Sequence, residues 1–93
     1  MSKISVIIPA FNAERYIGRC IRSLLDQSIN KETYDIIVIN DGSEDNTLNE
    51  LNIYINDITI ITNSKNLGLP SSLNIGIKQS KSKYIVREDS DDY

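Results

Sequence analysis

Histidine and tryptophan are absent from this chain of 93 residues, and cysteine occurs once. Without histidine, any proton transfer must fall to Asp, Glu, Tyr, Lys or water. The lone Cys20 has no internal disulfide partner, which suits a reducing compartment, and it reads as a small core residue. No apolar stretch approaches the roughly 20 residues needed to span a bilayer. Met1-Ser2-Lys3 leads straight into a strand-like run, with no signal-peptide pattern. A soluble, cytoplasmic domain is the expectation. Basic charge is also scarce: 10 Lys and Arg stand against 13 Asp and Glu, for a net charge of −3. A general nucleic-acid binder needs a basic face, so that class is disfavoured. The five tyrosines are scattered and form no stacking platform. Neither the Gly-x-Gly-x-x-Gly of dinucleotide folds nor a Walker-type Lys-Ser/Thr loop occurs.

What is present fits one small domain spanning residues 1–93. Four short runs are rich in β-branched residues: Ile4 to Ile8, Ile36 to Ile39, Ile58 to Ile61, and Tyr84 to Val86. None alternates apolar with polar, so the strands are expected to be covered on both faces, as in a parallel sheet. Helical spacing lies between them. Ile17, Ile21, Leu24 and Leu25, joined by Cys20, make one stripe. Leu48, Leu51 and Ile55 make a second, and Leu69, Leu73 and Ile77 a third, with Pro70 in its first turn. Each connection suits a helical crossover. The expected fold is α/β: a doubly wound, mostly parallel four-stranded sheet of order 3-2-1-4 with helices on both faces.

A polar cluster follows the carboxyl end of every strand, the edge where open α/β sheets bind ligands. After the first comes Pro9-Ala10-Phe11-Asn12, where Pro9 is expected to end the strand and Asn12 could cap the next helix. After the second comes Asn40-Asp41-Gly42-Ser43, which serves equally as an ordinary Asx turn or as a ligand contact through Asp41. Glu44-Asp45 beyond it suits a helix macrodipole without any function. After the third comes Asn63 to Gly68, whose Asn66-Leu67-Gly68 precedes the third helix, and Asn74 and Gly76 lie inside that helix. Both cost helix stability relative to Ala, and Gly76 is expected to permit a close approach to the sheet or a ligand. The fourth cluster is Glu88-Asp89-Ser90-Asp91-Asp92, four carboxylates in five residues. Two carboxylates about 5 Å apart repel by roughly 3 kcal/mol at an effective dielectric near 20. A cation such as Mg²⁺ or Mn²⁺, which favours oxygen ligands and bridges to phosphates, would relieve that repulsion. A solvated acidic tail is the plain alternative.

Together these motifs resemble the amino-terminal half of the family-2 glycosyltransferases with the GT-A fold. Ile4 to Asn12 is similar to that family's opening strand and turn. Ile39 to Asp45 resembles its Asp-Asp-Gly-Ser-x-Asp motif, with Asn40 in place of the first Asp. Asn66-Leu67-Gly68 and Asn74-Ile75-Gly76 resemble its middle motifs, and Asp89-Ser90-Asp91-Asp92 its Asp-x-Asp metal motif. One departure is Leu73, where many members carry Arg. Arg87 instead precedes the metal motif, as in a branch that reads Arg-x-Asp-x-Asp-Asp.

The resemblance implies a nucleotide-sugar donor, a UDP-sugar by preference, bound at the carboxyl edge. Pro9, Ala10 and Asn12 would line the nucleoside pocket, with Glu14 near base or ribose. Asp41 would take the uracil imide, and Asn66, Gly68 and Asn74 would belong to the same site. Arg87 would meet the diphosphate or pair with a neighbouring acid. Asp91 would be the main ligand of Mn²⁺ or Mg²⁺, with Asp89 near ribose or metal. The metal would stabilise the leaving diphosphate, and transfer to an acceptor hydroxyl, on a glycan or lipid-linked sugar, would invert the anomeric centre. The catalytic base and acceptor site are expected in a second half not contained in this sequence. On that view the chain is a truncated donor-binding unit, inactive alone and prone to self-association through the Tyr84 to Arg87 edge. A non-catalytic nucleotide-binding module is the alternative. A phosphotransfer domain would need its acids on a different strand.

Overall fold

A computed structural model of the chain describes residues 4–26 and 34–89. The elements follow in the order β1 (Ile4–Ala10), α1 (Ile17–Leu25), β2 (Tyr34–Asp41), α2 (Thr47–Asn52), β3 (Thr59–Asn63), α3 (Leu69–Gln79) and β4 (Tyr84–Arg87). The sheet order is β3-β2-β1-β4 with every pair parallel, as expected for a doubly wound layer. Register sets Ile8 beside Val38 and Val6 beside Val86.

The β-branched runs form two buried layers because successive side chains in a strand point to opposite faces. On one face Val6, Ile8, Ala10, Ile36 and Val38 meet Ile17, Ile21 and Leu24 of α1 and Leu51 of α2. On the other, Ile7, Ile37 and Ile39 lie beneath α3 with Leu73 and Ile75. Each fully buried Ile contributes about 1.5–3 kcal/mol relative to exposure. The Tyr34 hydroxyl donates to Leu24 O at 2.6 Å and ties the end of α1 to the start of β2.

Three expectations need correction. First, β1 does not end at Pro9 but runs to Ala10, which pairs with Asn40. What Pro9 ends is the ladder to β4. Glu88 N–H donates to Ile7 O at 3.0 Å. The next rung would need the amide hydrogen of residue 9, which proline lacks. Second, the α2 stripe is not buried throughout. Only Leu51 is, while Leu48 and Ile55 are exposed, because the helix is a single short segment that touches the core once. Third, α3 faces the sheet through Ser72 and Gly76, and Ile77 is exposed. A Cβ on Gly76 would fall 2.5 Å from Ile7 Cγ2, so the missing side chain lets α3 lie directly on β1. Close packing displaced the large residues to the flanks of the contact.

At the amino edge, Ser5 is fully buried and its hydroxyl donates to Asp35 Oδ1 at 2.8 Å. Ser82 donates to the same oxygen at 3.2 Å, and its N–H bonds Ser80 Oγ at 3.1 Å. This network fixes the turn that delivers β4, a strand whose four residues are all exposed. No helix among the described residues is long and apolar enough to cross a membrane.

Candidate functional site

Three loops meet at the carboxyl edge, and the second is their hub. It follows β2 and carries two aspartates with opposite assignments. Asp41 is fully buried. Its Oδ1 accepts from Leu67 N–H and from Asn63 Nδ2, both at 2.8 Å, and its Oδ2 accepts from Gly68 N–H at 3.0 Å. Asn66 Nδ2 adds a bond to Asp41 O at 3.4 Å. Asp41 therefore holds the third loop. Gly42 makes this approach feasible. With φ of 69°, it sits where a Cβ would come within 2.3 Å of Lys65 C and 2.4 Å of Asn66 N. No other residue fits there.

Asp45 serves the first loop. Its Oδ1 accepts from Thr47 N–H at 3.0 Å and from the Thr47 hydroxyl, and its Oδ2 accepts from Glu14 N–H at 3.3 Å. Partial burial pushes the Asp45 carboxyl up, but the bonds from the Thr47 hydroxyl, Thr47 N–H and Glu14 N–H outweigh it, and the group lies below the usual aspartate value. Asn12 completes the tie. Its N–H donates to Ser43 Oγ at 3.0 Å, and its Oδ1 accepts from Glu44 N–H at 2.8 Å. These bonds hold Asn12 in the left-handed region at φ 49°, where Asn is tolerated better than most residues. Asn12 does not cap α1, whose first turn starts from Ala13 O.

The expected site residues divide accordingly. Pro9, Ala10, Asn12, Glu14, Asp41, Asn66 and Gly68 converge at one edge. Asp41, expected to take a base imide, is fully buried here, with its two oxygens accepting from Asn63, Leu67 and Gly68. Asn74 lies exposed on α3, and its side chain makes no hydrogen bond among the described residues. Arg87 does pair with a neighbouring acid: its Nε meets Asp89 Oδ1 at 2.7 Å, with both side chains largely exposed. Asp91 lies outside the described residues.

The sequence reading placed Ser43 and Asn63 in the polar clusters of this edge and Asp45 in the family-2 motif, but it missed Thr47 and gave none of these residues its partner. The Asp-x-Thr spacing at the start of α2 was the available signal, since it suits a local cap. The partners thirty residues away had no sequence signal. A cavity of about 330 Å³ lies beside these loops, between α1 and the end of β4, lined by Tyr16, Arg19, Cys20, Ser23, Glu88 and Asp89. Among the described residues no group of three metal-ligating side chains occurs. Glu88 and Asp89 offer oxygen donors of the right kind for a hard cation, but as an incomplete set.

The sequence model of glycosyl transferase family 2 matches residues 5–93. The chain belongs to that family, and its fold is the GT-A fold. It is 47% identical over 92 residues to an uncharacterized glycosyltransferase of Haemophilus influenzae, covering 96% of this chain and 28% of that one. The crystal structure of Staphylococcus aureus TarS 1-349 in complex with UDP-GlcNAc superposes with a TM-score of 0.89 at 34% identity. That match covers 98% of this chain and 27% of TarS 1-349. Mannosyltransferase PcManGT from Pyrobaculum calidifontis, in complex with GDP-Man and Mn²⁺, superposes with a TM-score of 0.90. At 18% identity, over 96% of this chain and 27% of that one, it supports the fold alone. The chain thus spans less than a third of the length of these relatives.

Proposed function

We propose that this chain carries the donor-binding part of an inverting glycosyltransferase that uses a nucleotide-sugar, with a UDP-sugar as the preferred donor. The observation that carries the reading is the convergence of three loops at one sheet edge. Asp41 and Asp45 join the family-2 segments Pro9–Asn12, Asn40–Asp45 and Asn66–Gly68 there. The UDP-GlcNAc bound to TarS, which shares this fold, supports the choice of donor.

In this reading Pro9, Ala10, Asn12 and Glu14 border the nucleoside. Asp41 orders the third loop beneath it, and Asn66, Gly68 and Asn74 lie on the approach. Asp91 and Asp89 would hold Mn²⁺ or Mg²⁺, whose charge would offset that of the diphosphate leaving group. Arg87, whose Nε meets Asp89 Oδ1, would suit a phosphate oxygen beside such a cation. The acceptor is a hydroxyl of a glycan or lipid-linked sugar, and the base that deprotonates it lies outside this sequence. We place the working domain in the cytoplasm and assign the isolated chain binding without transfer.

UDP with Mn²⁺ is expected to raise the melting temperature of the 93-residue chain, since a ligand that binds only the folded state stabilises it by mass action. Asp91→Asn is expected to abolish that rise. A wild-type chain with no shift at millimolar UDP and Mn²⁺ would overturn the reading.

A further inference from the structure

Thr47 is fully buried, although it is the first residue of α2 and carries a hydroxyl. That hydroxyl has one proton and gives it to Asp45 Oδ1. Its lone pairs then face Ala13, whose N–H donates to Thr47 Oγ1 at 2.8 Å. Ala13 is itself fully buried, so without this acceptor its amide would be a buried orphan. The direction of the chain of bonds is set at its end: a carboxylate can only accept, so Asp45 fixes Thr47 as donor toward itself and acceptor toward Ala13. Ala13 in turn controls two structures. It follows Asn12, whose left-handed backbone closes the first turn. Its carbonyl also accepts from Tyr16 N–H at 3.0 Å and Ile17 N–H at 2.9 Å, the bonds that start α1.

We propose that Thr47, oriented by Asp45, is a positioning residue for donor binding. It touches no ligand and acts by locking the backbone of Pro9–Ala13 against the second loop before the nucleotide arrives. This inference rests on the donor-binding reading above. The lock removes from the binding step the cost of ordering that loop. The relay also gives the Asp45-Asn46-Thr47 segment a task across the molecule, beyond a local cap for α2.

The test combines residue-resolved amide hydrogen exchange with UDP titration in Mn²⁺, on this chain and its variants. Thr47→Val keeps the shape and removes the relay. It is expected to speed exchange at Ala13 by at least about tenfold, the effect of losing one buried hydrogen bond, while Ile7 and Ile37 in the central strands stay protected. UDP affinity is expected to fall by about tenfold on the same grounds. Thr47→Ser restores both. Thr47→Ala, which removes the same acceptor from Ala13 without adding bulk, is the variant to use if Thr47→Val does not fold. Unchanged exchange at Ala13, or an equal rise at every amide, overturns the lock. Faster exchange at Ala13 with undiminished UDP affinity overturns its role in binding. A wild-type chain that gives no response to UDP overturns the donor-binding reading itself, and the positioning role with it.

Discussion

At the scale of single residues, two aspartates four positions apart do different work because their surroundings differ. Asp41 closes β2 on the α3 face and is sealed under the third loop, whereas Asp45 stands at the start of α2 and faces the first. Asp45 contributes a pH sensitivity to the edge. Its folded-state value is held below that of the unfolded chain, so its contribution to stability is complete above the ordinary aspartate value of about 3.9 and is lost as pH falls through the folded value. The melting temperature of Asp45→Asn is therefore expected to decline less than that of wild type through this acid range. Glu14 and Glu44 are close in sequence, but only their backbone N–H groups join the tie, so the comparison isolates Asp45. Identical acid profiles would refute the assignment.

At the scale of elements, Gly76 and Pro9 set how the layers and ladders meet. Gly76→Ala gains about 1 kcal/mol of helix propensity, yet its methyl would enter the space of Ile7 Cγ2. Overpacking of this kind costs typically 1–3 kcal/mol. The variant is expected to be less stable than wild type in urea denaturation, and a net gain would show that α3 shifts freely. Pro9 stops the β1–β4 ladder, whose last pair is Ile7 and Arg87, while β1–β2 pairing continues to Ala10 and Asn40. Asp89, where the acidic motif begins, thereby lies outside the sheet. The helices were less legible than the strands. Leu48, Ile55 and Ile77 have the right spacing and still face solvent, because spacing reports a helix face and not how much of it a partner covers.

At the scale of the whole molecule, the sheet has two edge strands among the described residues, β3 and β4, and β4 is the more exposed. β4 bears Tyr84, Ile85 and Val86 at 59%, 42% and 47% exposure, far above the buried strands beside it. Parallel strands are normally covered on both faces, and an exposed edge offers unpaired backbone groups to another chain. Self-association of this chain through β4 is expected to grow with concentration in static light scattering. A charged replacement, Val86→Lys, is expected to reduce it. A constant monomer mass at high concentration would exclude the contact.

The sequence by itself determined the strand runs, their parallel order 3-2-1-4, the placement of polar clusters at the carboxyl ends and the resemblance to family 2. The runs and clusters follow from short-range patterns of β-branched residues and turn formers, and the order from the reversal beside the first strand by which such sheets form a ligand crevice. It also singled out Asn12, Asp41 and Gly42. Only the tertiary structure decided what these residues hold. Asn12 meets Ser43 and Glu44, Asp41 meets Asn63, Leu67 and Gly68, and Ala13 meets Thr47. These partners lie between 22 and 34 positions apart. A hydrogen bond across such a distance depends on where the sheet delivers each loop, and linear spacing does not encode that.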